Sequence, residues 1–287
     1  MRLSLNITNY SWPEGPPRLR ARLGQIARAA DEAGLDTVWV SDHLIQADPN
    51  STPDAEMLEA YTTLGFLACQ TERIRLGTMV TAATYRPPSL LVKAVTTLDV
   101  LSGGRAWLGI GAGYQEDEAH AMGLPLPEVA ERFERLEETL RLALHMWAGE
   151  DTAFEGTHYR LARPVNRPNS LQRPHPPILV GGMGERRTLR LVAQYADACN
   201  LFDIPDGGRT VTHKLAVLAR HCKEVGRAYD EIDKTLSTRL QPGESADAFA
   251  RRCAEFAALG IDHLVVIVAG PWSEDAVATL AAAAGLP

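Results

Sequence analysis

The sequence predicts a single (β/α)8 barrel of the α/β class, with a small hairpin insertion, spanning residues 1–287. Three observations lead there. Short β-branched runs alternate with longer amphipathic segments in eight successive pairs from one end of the chain to the other. Several of the strand candidates are apolar throughout, as strands are when both faces of a parallel sheet are covered. The length of 287 residues fits one such barrel, which takes roughly 250, and no shift in composition marks a second unit.

Taken in order, strand 3–7 (LSLNI) precedes helix 16–33, and strand 36–40 (DTVWV) precedes helix 57–71. Strand 74–79 (IRLGTM) leads to helix 88–102, and strand 105–110 (RAWLGI) to helix 128–148. Strand 177–181 (PILVG) is followed by helix 185–195, and strand 197–202 (DACNLF) by helix 208–226. Strand 234–239 (KTLSTR) with helix 246–258, then strand 263–268 (HLVVIV) with helix 274–284, complete the series. Leu136, Leu140, Leu144 and Trp147 show the three-to-four spacing of a helix with one buried face. The largest irregular stretch, 150–176, holds a candidate hairpin (AFEGTHYRL) and a proline-rich run. It joins a helix to the next strand, hence the N-terminal face of the barrel, so His158 and His175 read as structural.

Composition narrows the function. Hydrophobic residues make up 45% and charged residues 23%, with a net charge of −7 and no basic run of the kind that binds nucleic acid. Cys69, Cys199, Cys222 and Cys253 stand apart, without metal-ligand spacing, and read as reduced thiols. The first residues lack a signal-peptide apolar run, and no stretch of about 18 apolar residues could span a membrane. The expectation is a cytoplasmic protein acting on a small-molecule substrate, with no nucleic-acid or membrane partner.

Chemistry in a barrel of this kind gathers at the C-terminal ends of the strands. There WVSDHL puts Ser41, Asp42 and His43 at the mouth. A histidine exchanges protons near neutrality, and a neighbouring carboxylate can orient it or bind a cofactor hydroxyl. The strand ending GIGAGYQEDE carries Gly109, Gly111 and Gly113, whose missing Cβ atoms let something flat approach the backbone. Glu116, Asp117 and Glu118 follow and read as a solvated first helical turn favoured by the helix dipole. The turn Gly181-Gly182-Met183-Gly184 runs into a helix N-terminus, a ready phosphate site, with Arg186 and Arg187 beside it. Arg86 with Pro87 and Pro88 marks a stiff loop at the same mouth, whereas Asp99, Ser102, Gly103 and Gly104 read as structure at the barrel base. No strand ends in the HxH or Lys that a metal hydrolase or Schiff-base aldolase would require.

The segments VWVSDH, TERIRLGTMV, LLVKAVTTLDVLSGGRAWLGIGAGYQEDEAHAMG, FEGTHY, QRPHPPILVGG and ADACNLF together resemble the luciferase-like monooxygenase superfamily over residues 1–202, nearest its coenzyme F420-dependent oxidoreductase branch. That resemblance implies hydride transfer between the deazaflavin and an unidentified small organic substrate. It implies His43 as acid/base, Asp42 as a cofactor contact, and a cis Met79–Val80 peptide beneath the cofactor ring. It implies phosphate binding at Gly181 and Gly182, and a homodimer formed through the outer helices 57–71 and 88–102. The sequence departs from the sugar-phosphate dehydrogenases of the branch where Tyr114 replaces a catalytic Glu and Ala47 a tryptophan. Within the family the alternatives are an FMN-dependent monooxygenase and a flavin-binding homologue without turnover.

Overall fold

A computed structural model describes residues 1–48 and 50–286. Its elements run β1 (Arg2–Ile7), α1 (Pro16–Glu32), β2 (Thr37–Val40), α2 (Ala60–Ala68), β3 (Arg75–Thr78), β4 (Thr81–Ala82), α3 (Pro88–Ser102) and β5 (Leu108–Gly111). There follow α4 (Glu116–Met122), α5 (Val129–Trp147), β6 (Phe154–Glu155), β7 (Arg160–Leu161), β8 (Ile178–Gly181), α6 (Thr188–Tyr195) and β9 (Ala198–Phe202). The chain ends with α7 (Arg209–Val225), β10 (Asp233–Arg239), α8 (Ala246–Ala258), β11 (His263–Ile267) and α9 (Glu274–Ala283).

The main sheet is parallel, in the order β3-β2-β1-β11-β10-β9-β8-β5-β4. It closes on itself where β3 meets the residues leading into β5. There the Arg105 carbonyl accepts the Leu76 N–H at 2.9 Å, and the Leu76 carbonyl accepts the Trp107 N–H at 2.8 Å. Past the cis Met79–Val80 bond, β4 resumes the line of β3 and pairs with β5, Thr81 opposite Ile110. The expected barrel is thus present, and β6 and β7 form the expected hairpin.

Local chemistry sets the element ends. Proline occupies the first turn of α1 and α3, where its missing N–H costs nothing. Ser245 and Ser273 accept the Ala248 and Ala276 N–H groups and so start α8 and α9. Helix α2 starts at Ala60 rather than 57 because Glu59 caps it, accepting from the Thr62 N–H. Helix α6 starts at Thr188 rather than 185 because residues 185–187 form a turn.

Outward strand side chains such as Leu5, Val38, Ile110, Val180 and Val266 are fully buried against the helices. Inside the barrel, Trp39, Trp107, Leu179, Ala198 and Val265 form a separate cluster capped by Met79 and Val80. The two indoles fit because Gly77 lacks a side chain; a Cβ there would lie 2.7 Å from the Trp39 ring.

The base is fastened by polar side chains. Buried Arg105 donates to the carbonyls of Ser102, Ile74, Ala68 and Thr71 and to the Thr71 hydroxyl, at 2.7–3.0 Å. Asp99, fully buried, receives the Leu171 and Gln172 N–H groups and so pins the 150–176 insertion to α3. His158 bonds Glu134 at 2.8 Å and His175 stacks on Trp147, so both are structural, as expected. Among the described residues no helix is long and apolar enough to cross a membrane.

Candidate active site

The C-terminal ends of the strands surround a cavity of about 950 Å³. Its wall includes Asn6 after four residues of β1, Asp42 and His43 just past β2, and Met79 and Val80 between β3 and β4. Gly111 ends β5 and Tyr114 follows it, Gly181 ends β8 with Gly182 just past it, and Phe202, Asp203 and Arg239 complete the circuit. This is where the sequence placed the chemistry, and His43, Asp42, Met79, Val80, Gly111, Gly113, Gly181 and Gly182 are indeed brought together.

His43 does not stand alone. Its Nδ1 lies 2.7 Å from Glu118 Oε2. Glu118 also accepts the Tyr85 hydroxyl at 2.8 Å, the Ile45 N–H at 3.1 Å and the Leu44 N–H. Burial alone would raise the carboxyl pKa, but the bond and charge of His43, with Tyr85 and the Ile45 N–H, hold it below the usual carboxylate range. An ionised carboxylate only accepts, so Nδ1 carries a proton toward it, and in the neutral ring Nε2 is left with the lone pair. Nε2 has no protein partner among the described residues, and the ring borders the cavity. Burial and the bond to Glu118 together push the Tyr85 hydroxyl pKa upward.

This corrects the reading of Glu116–Asp117–Glu118 as a solvated turn. Glu116 is solvated, its side chain 81% exposed, whereas that of Glu118 is 2% exposed and ties α4 to the loop after β2. The local signal was slight: only its register beside buried Ala119 separates Glu118 from its neighbours.

Asp42 lines the cavity, but its carboxylate is held by Arg86 through bonds of 2.5 and 2.9 Å. Arg86 also donates to Glu59 at 2.6 Å and lies over the Tyr61 ring. The stiff loop of Arg86 and two prolines therefore clamps the end of β2, and Asp42 is a structural anchor as well as part of the wall.

The glycines need a second correction. A Cβ on Gly109 would lie 1.8 Å from the Thr78 carbonyl oxygen, and one on Gly181 3.0 Å from the Val80 side chain. What approaches these bare positions, Gly111 included, is the chain's own Met79–Val80 turn, which fills the barrel axis and forms the cavity floor. Gly113 is needed for its backbone, at φ +81°, and packs beside Ala82 and Leu126.

At the β8 turn, Gly182 and the first helical residue, Thr188, face the cavity, and no side chain caps α6. Met183, Gly184 and Arg186 do not border it. The Met183 sulfur accepts the Phe202 N–H at 3.4 Å, Arg186 is exposed, and Arg187 lies over the ring of Phe133, a residue of the cavity wall. Of the turn singled out in the sequence, Gly181 and Gly182 thus border the cavity, together with Thr188, which the sequence reading had not named.

A model of the luciferase-like monooxygenase family matches residues 1–285. The chain belongs to that family. It is 35% identical, over 227 residues, to an F420-dependent glucose-6-phosphate dehydrogenase of Kineococcus radiotolerans; the match covers 76% of this chain and 63% of that relative, so this chain spans less than two thirds of it. A solved F420-dependent secondary alcohol dehydrogenase, in complex with an F420-acetone adduct, superposes with a TM-score of 0.83 at 16% identity, covering 98% of this chain and 97% of the other. A monooxygenase of Streptomyces bottropensis gives 0.81 at 20% identity, covering 99% and 98%. These two share the fold.

Proposed function

We propose that the chain is an oxidoreductase that binds coenzyme F420 and exchanges a hydride between it and a small organic substrate. The observation that carries the reading is His43, held by buried Glu118 with one ring nitrogen free toward the cavity. Relatives named for F420 support the deazaflavin over FMN.

The residues present fit such a cofactor. Val80, backed by side-chain-free Gly111 and Gly181, offers a flat floor. The uncapped α6 N-terminus, with Gly182 and Thr188, offers free N–H groups and a hydroxyl to one phosphate. When bound, the deazaflavin supplies a carbon that gives or takes hydride. His43 Nε2 exchanges the accompanying proton with the substrate oxygen while Glu118 holds Nδ1–H in place. Arg86, through Asp42, fixes the strand end that carries His43.

We further place the protein in the cytoplasm as a homodimer meeting through α2 and α3, where Leu90 and Leu101 are 56% and 71% exposed. Sedimentation showing only monomer at micromolar concentration would remove that part. The net charge of −7 supports no nucleic-acid partner. The test of the main reading is titration of the purified protein with F420 and with FMN, read by cofactor fluorescence. F420 should saturate the protein more tightly, and His43→Ala should leave that affinity within a few-fold while turnover falls on the order of 10²–10⁴. Tighter FMN binding, or full turnover by His43→Ala, would overturn it.

A further inference from the structure

The cavity wall carries an unusual charge balance for a chain whose relatives are named for a sugar phosphate. Its ionisable side chains, among the described residues, include Asp42, Asp48, Asp203 and His43, with Arg239 as the permanent cation. That cation is engaged through Nη2, while its buried Nη1 has no partner among the described residues. Arg239, the last residue of β10, reaches across the mouth over β11 and β1 to the loop after β2. Its Nη2 donates there to both carboxylate oxygens of Asp48, at 2.9 and 3.0 Å. Asp48 is held in turn by the Asn50 N–H at 2.9 Å, and its side chain is 9% exposed. Asp203 receives the Thr238 hydroxyl at 2.7 Å and has Arg252 3.8 Å away, but Arg252 is bonded more closely to Glu244. Away from the Gly182–Thr188 turn, a dianion entering here would meet excess carboxylate and, among the described residues, one guanidinium whose charge Asp48 already balances, and such a group sheds its water only at a cost.

The same wall is apolar where it opens. Phe202 and Tyr114 both border the cavity, yet they are 47% and 66% exposed. Pro205, Met57 and Ile267 also line it. Large apolar side chains left in water around a concavity mark a surface that a ligand covers.

We infer that this cavity takes an uncharged, mainly apolar substrate, and that Asp48 is the residue that excludes phosphorylated compounds by occupying Arg239. This deepens the F420 reading and rests on it for the word substrate, though the binding preference can be measured without it. The Asp48–Arg239 pair neutralises what would otherwise be a phosphate-binding guanidinium, and the aromatic rim supplies the attraction for a neutral hydrocarbon body.

The test uses cyclohexanone as the neutral probe and glucose 6-phosphate as the charged one. Binding is followed by calorimetry on the full chain, with and without saturating F420. Wild type should bind cyclohexanone saturably and glucose 6-phosphate not at all at millimolar concentration. Asp48→Asn, which keeps the side-chain shape, should gain glucose 6-phosphate binding by about tenfold or more, an increase that high salt erases. Phe202→Ala should weaken cyclohexanone about tenfold without creating phosphate binding. Saturable glucose 6-phosphate binding by wild type that exceeds cyclohexanone would overturn the inference, as would an Asp48→Asn protein that folds and still prefers the ketone unchanged. Failure of F420 itself to bind would overturn the functional reading instead, leaving the preference between the two probes to be judged on the cofactor-free protein.

Discussion

Replacing Glu118 with Gln exchanges one acceptor oxygen for an NH2 group at the centre of four converging donors. Oε1 faces the Leu44 and Ile45 N–H groups, and Oε2 faces His43 Nδ1 and the Tyr85 hydroxyl. The amide oxygen can keep the two backbone donors, leaving its NH2 opposite His43 and Tyr85. Tyr85 can rotate its hydrogen away and accept, and His43 can accept only by moving its own proton from Nδ1 to Nε2. Folding therefore loses the charge assistance of about two bonds, roughly 1–3 kcal/mol, and not the whole network. Function loses more, because the nitrogen facing the cavity becomes a donor and proton exchange there fails. Turnover should fall on the order of 10²–10⁴, with F420 affinity within a few-fold of wild type. The tautomer can be read directly from the ¹⁵N shifts of the imidazole, without any substrate. A Glu118→Gln protein that retains Nδ1–H on His43, or that turns over within about threefold of wild type, refutes the assignment of Glu118 as the residue that orients His43.

Two other perturbations probe the frame. His263, 1% exposed between Ser4 and Asp36, is kept neutral chiefly by burial, which lowers its pKa from 6.5 to about 4. Because the unfolded chain binds that proton first, stability is complete above about pH 6.5 and falls as the pH drops toward 4. Urea unfolding at pH 7 and pH 5 should show wild type losing about 2 kcal/mol more than His263→Gln, and parallel losses would contradict this. Arg105→Ala strips five bonds from the barrel base and should cost about 3–5 kcal/mol in the same assay, leaving cofactor affinity intact at the distant mouth. A loss under about 1 kcal/mol would mean water replaces the guanidinium.

Most of the barrel was legible because strands covered on both faces and helices covered on one leave different apolar periods. The departures came from side chains acting outside those periods. Residues 105–107 read as strand, yet β5 begins at Leu108, because Arg105 is drawn into the base and only Ala106 bridges to β3. His43 was legible because its triplet follows an apolar strand immediately. Glu118 was not, since an acidic triplet at a helix start satisfies the dipole equally well in water. The Asp48–Arg239 pair joins residues 191 apart in the sequence, and nothing local to either announces the other. The cis Met79–Val80 bond was expected through family resemblance alone; composition and spacing carry no trace of it.

The paired indoles inside the barrel have an optical consequence. Trp39 and Trp107, with ring centroids 5.6 Å apart, touch the underside of the residues that form the cavity floor. A light-absorbing ring settled on Val80 would sit one side-chain layer above two excitable indoles, well placed to drain their emission by resonance energy transfer. Trp272 is near too, donating to the carbonyl of Asn6 in the cavity wall with Trp12 bonded to it, whereas Trp147 lies beside His175 near the base. The protein thus carries its own occupancy gauge. Intrinsic fluorescence should dim as the cavity fills, and Trp39→Phe/Trp107→Phe should reduce that dimming, Trp272 and Trp12 supplying the remainder, while leaving the titration measured from the cofactor side in place.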